Sequence, residues 1–427
     1  KVAMESTLAS DKARGTLLAA NANYADKQYT TAAMRYGQFL PSNLQAAVVS
    51  ASNGLDTVES GTASNLVLPS DAATFSLIQE RLASAMYFVA ESKTEPVAKA
   101  SAFLEILDTL PDAELASRAL FEASNTYLNA DMYNEALPLL EHFYMNFPND
   151  PLALAVEDKL IYTYELTNER IAAAELLVKR VRRSQPSPEL AQALFQAADF
   201  YREAGFTGEA NALYEEFANT YSSPFDLSLE ARNYVYTYYE AQAENNQLKQ
   251  SAEQIVRFVD NYAQPDDLRA KTLASEKSLY LAVLEKNKFD DMPLNVPLSR
   301  SLTRKRQQLT VANTAFEKAA SYEISDIQHA SSFYLGEIYQ QLAQDILNSD
   351  RPSGLSELER EQYGILLEEQ AYPFEEQAIE LYRLTATKTK LGTYDEWIGK
   401  SLAALSEINP RLYARPFKGI EHARLPN

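Results

Sequence analysis

The chain of 427 residues has no cysteine, which excludes disulfides, thiolate metal sites and cysteine nucleophiles. Glycine is scarce, at 12 residues, and neither a nucleophile elbow nor a glycine-rich phosphate loop occurs. The three histidines, His142, His329 and His422, lie far apart. None sits in HExxH or in another ligand spacing, so no metal ligand is assigned. One tryptophan, Trp397, is too few for a glycan-stacking platform. No apolar run approaches the roughly 18 residues of a membrane span, and the first residue is Lys1 rather than methionine, as in a processed or excised piece. Bases are outnumbered, 39 against 59 acids, for a formal charge of −20, which argues against a nucleic-acid footprint. The basic clusters at Lys179–Arg183 and Arg300–Arg306 read as solvated helix faces or ends. Acidic pairs such as Glu368/Glu369 and Glu375/Glu376 are expected on solvated faces of so acidic a helical protein, so no catalytic residue and no cofactor is assigned.

What the chain does contain is a repeat. Tyr127, Tyr164 and Tyr201 are 37 residues apart, and Ala136, Ala173 and Ala210 follow them at the same interval. Prolines at 111, 148, 186, 224 and 265 punctuate the units. A fixed period of this size predicts a stacked-repeat solenoid, in which each unit buries its apolar face against its neighbours. In the unit from Ser117 to Pro148, Leu120, Ala123, Ser124 and Tyr127 form one helical stripe, and Ala136, Leu140, Phe143 and Phe147 a second. Small residues at Ser124 and Ala136 let the two helices approach, and Asn129–Asp131 make the turn. The next units are marked by Leu160, Tyr164, Ala173 and Leu177, and by Leu194, Ala197, Ala198, Tyr201, Ala210, Tyr214 and Phe217. A fourth keeps Tyr238 and Phe258 but reaches Ala252 about five residues late.

This pattern of large, small and tyrosine, then alanine, aromatic and proline, resembles the tetratricopeptide repeat. The resemblance implies an all-α, right-handed superhelical solenoid of helical hairpins whose first helices line a concave groove. Its ligand-facing positions map onto Arg118, Phe121, Asn125, Leu128 and Asn129; then Asp158, Tyr162 and Glu165; then Gln192, Phe195, Asp199 and Arg202; then Arg232, Tyr236, Tyr239 and Glu240. Phe121, Phe195 and Tyr236 are expected to face a partner, and Tyr127, Tyr201 and Tyr238 to pack. Aromatic anchors ringed by polar groups are what interface hot spots need.

Along the chain, residues 1–70 are expected to hold a helical hairpin and a loop, with Leu17, Leu18, Ala20 and Tyr24 in the first helix and Tyr29, Ala32, Tyr36 and Phe39 at the repeat positions of the turn and second helix. A small, polar stretch from Ser42 to Ser70 reads as a short helix, a long loop and a hinge. Residues 71–290 hold the repeats with a period near 37. Two prolines in FDDMPLNVPLSRS set a boundary, and residues 291–410 form divergent repeats and a capping helix. In these, Leu335, Gly336 and Tyr339 answer Ala378 and Tyr382 across the insert NSDRPSGLSELEREQYG, in a long helix kinked at Pro373. Residues 411–427 read as a tail.

The C-terminal runs SSFYLGEIYQQLAQDIL, QAYPFEEQAIELY and YDEWIGKSLAALSEINP resemble the end of large tetratricopeptide proteins of Gram-negative envelopes, found beside gliding-motility machinery and TonB-type transport systems. The resemblance implies a periplasmic, non-enzymatic scaffold that binds protein or peptide partners of an envelope complex. Two alternatives stay open. One is a glycan-handling protein, either a glycan-binding lipoprotein or the superhelical arm of a peptidoglycan-cleaving enzyme. The other is a cytoplasmic adaptor.

Overall fold

The computed structural model describes residues 2–40, 72–391 and 394–413. The helix, loop and hinge expected over 42–70, most of the tail and His422 lie outside them. Among the described residues there is no strand, and the helices pair as hairpins. The first hairpins are α1 (Val2–Ala25) with α2 (Tyr29–Gly37) and α3 (Ala72–Glu91) with α4 (Pro96–Thr109). The repeats follow as α5 (Ala116–Asn129) with α6 (Tyr133–Asn146), α7 (Ala153–Leu166) with α8 (Arg170–Arg182), α9 (Pro188–Glu203) with α10 (Thr207–Thr220), and α11 (Phe225–Ala241) with α12 (Asn245–Tyr262). Longer pairs come last, α13 (Leu268–Asp290) with α14 (Leu298–Ala320) and α15 (Ser325–Leu347) with α16 (Glu357–Ala386). A 3-10 turn (Thr387–Leu391), α17 (Glu396–Ile408) and α18 (Pro410–Tyr413) close the described chain. This is an all-α solenoid of tetratricopeptide-like hairpins.

Two compact units are present, residues 1–186 with 196–206, and residues 187–195 with 207–427. In the first, Ala20, Ala32, Ala33 and Tyr36 of the N-terminal hairpin join Leu82, Met86, Phe103, Ile106 and Ala123 in one core. Leu18 lies in α1 as expected and is exposed. Ala136 with Leu137, and Ala173 with Ala174, form adjacent buried pairs at the start of the second helices. The small side chains of Ala136, Ala173 and Ala174 allow the close approach that the spacing demands.

The register is set by the turns. Asp131, Asn168, Gly205 and Ala243 have positive φ angles of 56°, 65°, 86° and 55°. The next backbone N–H in each turn, from Met132, Glu169, Phe206 and Glu244, donates to the carbonyl of Tyr127, Tyr164, Tyr201 and Tyr239 at 2.9, 2.7, 2.9 and 3.1 Å. A left-handed residue past the helix end, with a backbone bond reaching back to the last turn, satisfies carbonyls that the helix leaves unpaired. The advance from turn to turn is therefore 37, 37 and 38 residues. The fourth unit is framed by Tyr239, not by Tyr238 as the sequence spacing predicts. Its extra residues do not widen the turn either. They lengthen α12 to 18 residues, against 14 in α10, and its buried pair Ser251/Ala252 comes about one turn later.

In the second unit, Asp267 caps α13 by accepting from the Ala270 N–H at 2.9 Å, and Asp395 caps α17 by accepting from the Ile398 N–H at 2.8 Å. Ser356 and Glu359 form a reciprocal capping box that starts α16 at Glu357, so the expected insert is partly helical. The helix then runs through Pro373 as one element. Gly336 of α15 meets Tyr382 of α16 so closely that an added Cβ would lie 2.6 Å from the ring. His329 Nδ1 contacts Asp395 Oδ2 at 2.5 Å and ties the start of α17 to α15. Trp397 sits beside Phe333 and Tyr334, with ring centroids at 5.7 and 5.2 Å.

Candidate functional site

Each repeat's first helix buries one stripe and leaves the neighbouring one, the candidate contact stripe, wholly or partly exposed. In the first unit α5 and α7 lie together, because the Lys159 ammonium of α7 stands 5.7 Å from the centre of the Phe121 ring of α5. Phe121 is half-buried and meets Phe143 edge-on at 6.4 Å. Arg118 is exposed, with its guanidinium over the Tyr87 ring at 5.5 Å. Asn125 and Leu128 are half-buried and Asn129 is exposed. One repeat later, Tyr162 takes the place of Asn125 and is 53% exposed. Glu165 is exposed, whereas Asp158 is engaged by the Arg180 guanidinium at 2.7 Å.

The Asn125 side-chain oxygen is shielded from solvent and accepts no hydrogen bond. Asn211 and Asn313 carry side-chain oxygens shielded in the same way. On the α9 helix, Gln192 is exposed and Phe195 is half-buried against Tyr214 and Phe217, at 5.4 and 5.6 Å. Asp199 and Arg202 bind each other at 2.8 Å.

The fourth set is corrected by the turn register. Tyr236 is 4% exposed and belongs to the core with Leu229, Ile255 and Phe258. Burial pushes its phenol well above the ordinary range. Arg232 is also internal: it donates to the Ser228 carbonyl at 2.8 Å and stacks 4.0 Å from the Phe258 ring centre, and burial pulls its guanidinium below the ordinary value. Tyr239 holds the inter-helix place that Tyr164 holds two repeats earlier. Each donates to a glutamate of the preceding second helix, Tyr239 to Glu215 at 2.5 Å and Tyr164 to Glu141 at 2.7 Å. The Glu215 bond, followed by burial, pushes the Tyr239 phenol up to about 12. Tyr238, assigned to packing by the 37-residue count, is half-buried. The one-residue advance moves the contact stripe of α11 to Glu230, Asn233, Thr237 and Glu240. Glu240 is exposed, and Glu230 is paired with Arg269 at 2.8 Å.

Sequence spacing also misses groups joined between the two helices of one hairpin. Glu157 is 2% exposed and lies between Arg180, at 2.6 Å, and Arg183. Its recoverable signal is the separation of 23 residues that it shares with Glu141 and Tyr164. Between α6 and α8 a groove of about 420 Å³ opens over Tyr164, lined by Tyr144, Met145, Leu160 and Leu176. Among the described residues, no group of three or more acidic or histidine side chains could hold a metal ion, and no helix is long and apolar enough to cross a membrane.

No protein-family model matches the chain, and no curated protein matches it. Solved structures do show likeness at low identity. A tetratricopeptide repeat protein from Parabacteroides merdae is 14% identical, with 67% of this chain and 98% of that one covered and a TM-score of 0.28. A chain of the Naa15/Naa10 complex bound to HypK-THB is 13% identical, with 94% and 64% covered and a TM-score of 0.29. The P58(IPK) tetratricopeptide domain is 14% identical, with 95% and 100% covered and a TM-score of 0.21. The assignment of hairpin repeats rests on the turn register and burial pattern above.

Proposed function

We propose that this chain is a protein-binding scaffold whose first unit holds a peptide or protein segment on the α5/α7 face. The observation that carries the reading is the exposed Tyr162 ring of α7, at the repeat position that Asn125 holds on α5, on the stripe that also carries the half-buried Phe121 and Leu128. The Tyr162 ring would supply apolar area with a polar tip, the combination favoured at interface hot spots. Phe121 and Leu128 would floor the contact, while Arg118, Asn129 and Glu165 would rim it. Charge of both signs at the rim fits recognition of a polar segment with a central apolar anchor better than capture of a uniformly charged polymer. No catalytic step is assigned to the face. A place in the periplasm, within an envelope complex, is supported by the C-terminal sequence resemblance described above.

The test replaces Tyr162 with a photo-crosslinking phenylalanine analogue, with the same analogue at exposed Glu175 as the control. In envelope fractions of the native host, Tyr162 should capture a discrete protein that Glu175 does not. Tyr162→Ala should weaken that capture about thirtyfold, the equivalent of roughly 2 kcal/mol at a hot spot. Equal capture at both positions, or no effect of the substitution, would remove the face from the function.

A further inference from the structure

The α16 helix has two apolar faces, and the fold uses one of them. Leu367, Ala371, Ala378 and Tyr382 are buried. On the opposite side Leu358, Ile365 and Tyr372 are 65, 53 and 57% exposed. These three are seven residues apart, so at 3.6 residues per turn they form a nearly straight line along the helix. Scattered exposed apolar residues need no explanation, but an aligned set opposite the core face is left largely uncovered by the described residues. Leu366 is also exposed beside the line, and the Tyr372 hydroxyl is held to Glu376 at 2.6 Å.

The flanks of this line are acidic. Glu357, Glu361, Glu368, Glu369, Glu375 and Glu376 are all exposed. The whole helix carries eight glutamates against Arg360 and Arg383, a net charge of −6 (2 − 8). Arg306 of α14 stacks on Phe374, beside the buried face rather than on the seam. An apolar seam at heptad spacing with flanking charge of one sign is half of a helix–helix interface, and the flanking charge selects the partner. A second copy of α16 would bring two −6 helices together and is disfavoured.

We infer that the outer face of α16 docks a basic amphipathic helix of a protein partner. Leu358, Ile365 and Tyr372 receive its apolar stripe, and the flanking glutamates pair with its lysines and arginines. This surface is separate from the α5/α7 face, and each can fail without the other.

The probe is a synthetic three-heptad peptide with leucine in its seam and Lys and Arg on its flanks, measured by fluorescence anisotropy against the whole chain. It should bind at least about thirtyfold more tightly than a counterpart with Glu on the flanks or a shuffled peptide of equal composition, and should weaken with salt. The triple variant Leu358→Ser, Ile365→Ser, Tyr372→Ser should lose about tenfold or more in affinity while its circular dichroism and Trp397 emission stay unchanged. Tyr162→Ala should bind the peptide as the parent does. Equal binding of the shuffled peptide, unchanged binding by the triple variant, or no binding at all overturns the inference. So does sedimentation showing a dimer that the triple variant abolishes, because the occupant is then a second copy. A chain ending at Tyr413 that binds the peptide about tenfold more tightly also overturns it. That result would assign the seam to the chain's own 414–427 stretch, which carries Arg415, Lys418 and Arg424.

Discussion

Replacing a helical glycine by alanine should have opposite consequences at two positions in the second unit. In a helix interior the change gains about 0.8–1.0 kcal/mol from backbone propensity alone. At Gly336 the new methyl would lie 2.6 Å from Tyr382 Cε1 and 2.9 Å from both Cδ1 and Cζ, far inside the 3.5–4.0 Å of an ordinary carbon contact. The ring has little freedom to yield. Tyr382 is fully buried, donates to Gln340 Oε1 at 2.9 Å and packs 5.7 Å from Phe333. Overpacking of this kind costs about 1–3 kcal/mol, and a locked ring puts the cost at the top of that range. Gly336→Ala should therefore lose about 2 kcal/mol net. At Gly364, in α16, an added Cβ meets nothing within 4 Å, so Gly364→Ala should keep the full gain of about 0.8–1.0 kcal/mol. Urea unfolding followed by Trp397 emission is the assay, since that indole packs against Phe333. Equal stabilisation by both substitutions would mean that α15 and α16 are not held at this distance, and the reasoning would fail.

Two further outcomes follow from burial and charge. Tyr236→Ala should destabilise by about 3–5 kcal/mol, the range for a buried aromatic, and Tyr238→Ala by clearly less; the reverse order in thermal melts would restore Tyr238 as the frame residue. Asp395 is pushed up by burial, but the His329 contact and the Ile398 N–H outweigh this and hold its carboxyl below the usual value. A depressed acid contributes its stability in full above the unfolded value, about pH 4, and loses it as pH falls through the folded one. Acid titration of Trp397 emission should thus show α17 loosening below about pH 4, a transition that Asp395→Asn removes. An Asp395→Asn profile identical to the parent's would refute this.

The repeat was legible because Tyr127, Tyr164 and Tyr201 and their alanines share one period, and the turns behind them are partly legible too. Asp131, Asn168 and Gly205 belong to the residue types that accept a left-handed backbone. Ala243 does not, so nothing in its side chain announces the fourth turn. With tyrosines at 236, 238 and 239, an unbroken count of 37 selects the wrong one. That slip of one residue carried Arg232 and Tyr236 from the core to the expected contact face. Exposure along α5 and α7 follows helical periodicity and could be anticipated. The engagement of Asp158 by Arg180 and the His329–Asp395 contact could not, because they join residues 22 and 66 positions apart. The α16 seam stands in the sequence as apolar residues at heptad spacing, but Pro373 and the insert conceal that residues 357–386 form one helix with a single outward side.

The turn itself sets how such a chain can change in length. Its defining hydrogen bond runs from backbone to backbone, so it forms with aspartate, asparagine, glycine or alanine at the left-handed position, even though the alanine bears a backbone cost that glycine does not. A deletion that joins Asp131 directly to Glu169 removes one 37-residue module and leaves the Tyr127 carbonyl facing an N–H of the same kind. A duplication between the same two points adds a module on the same terms. Gene-level gain and loss of units therefore has ready-made seams at these turns, and chimeras cut there should tolerate the exchange better than chimeras cut inside a helix.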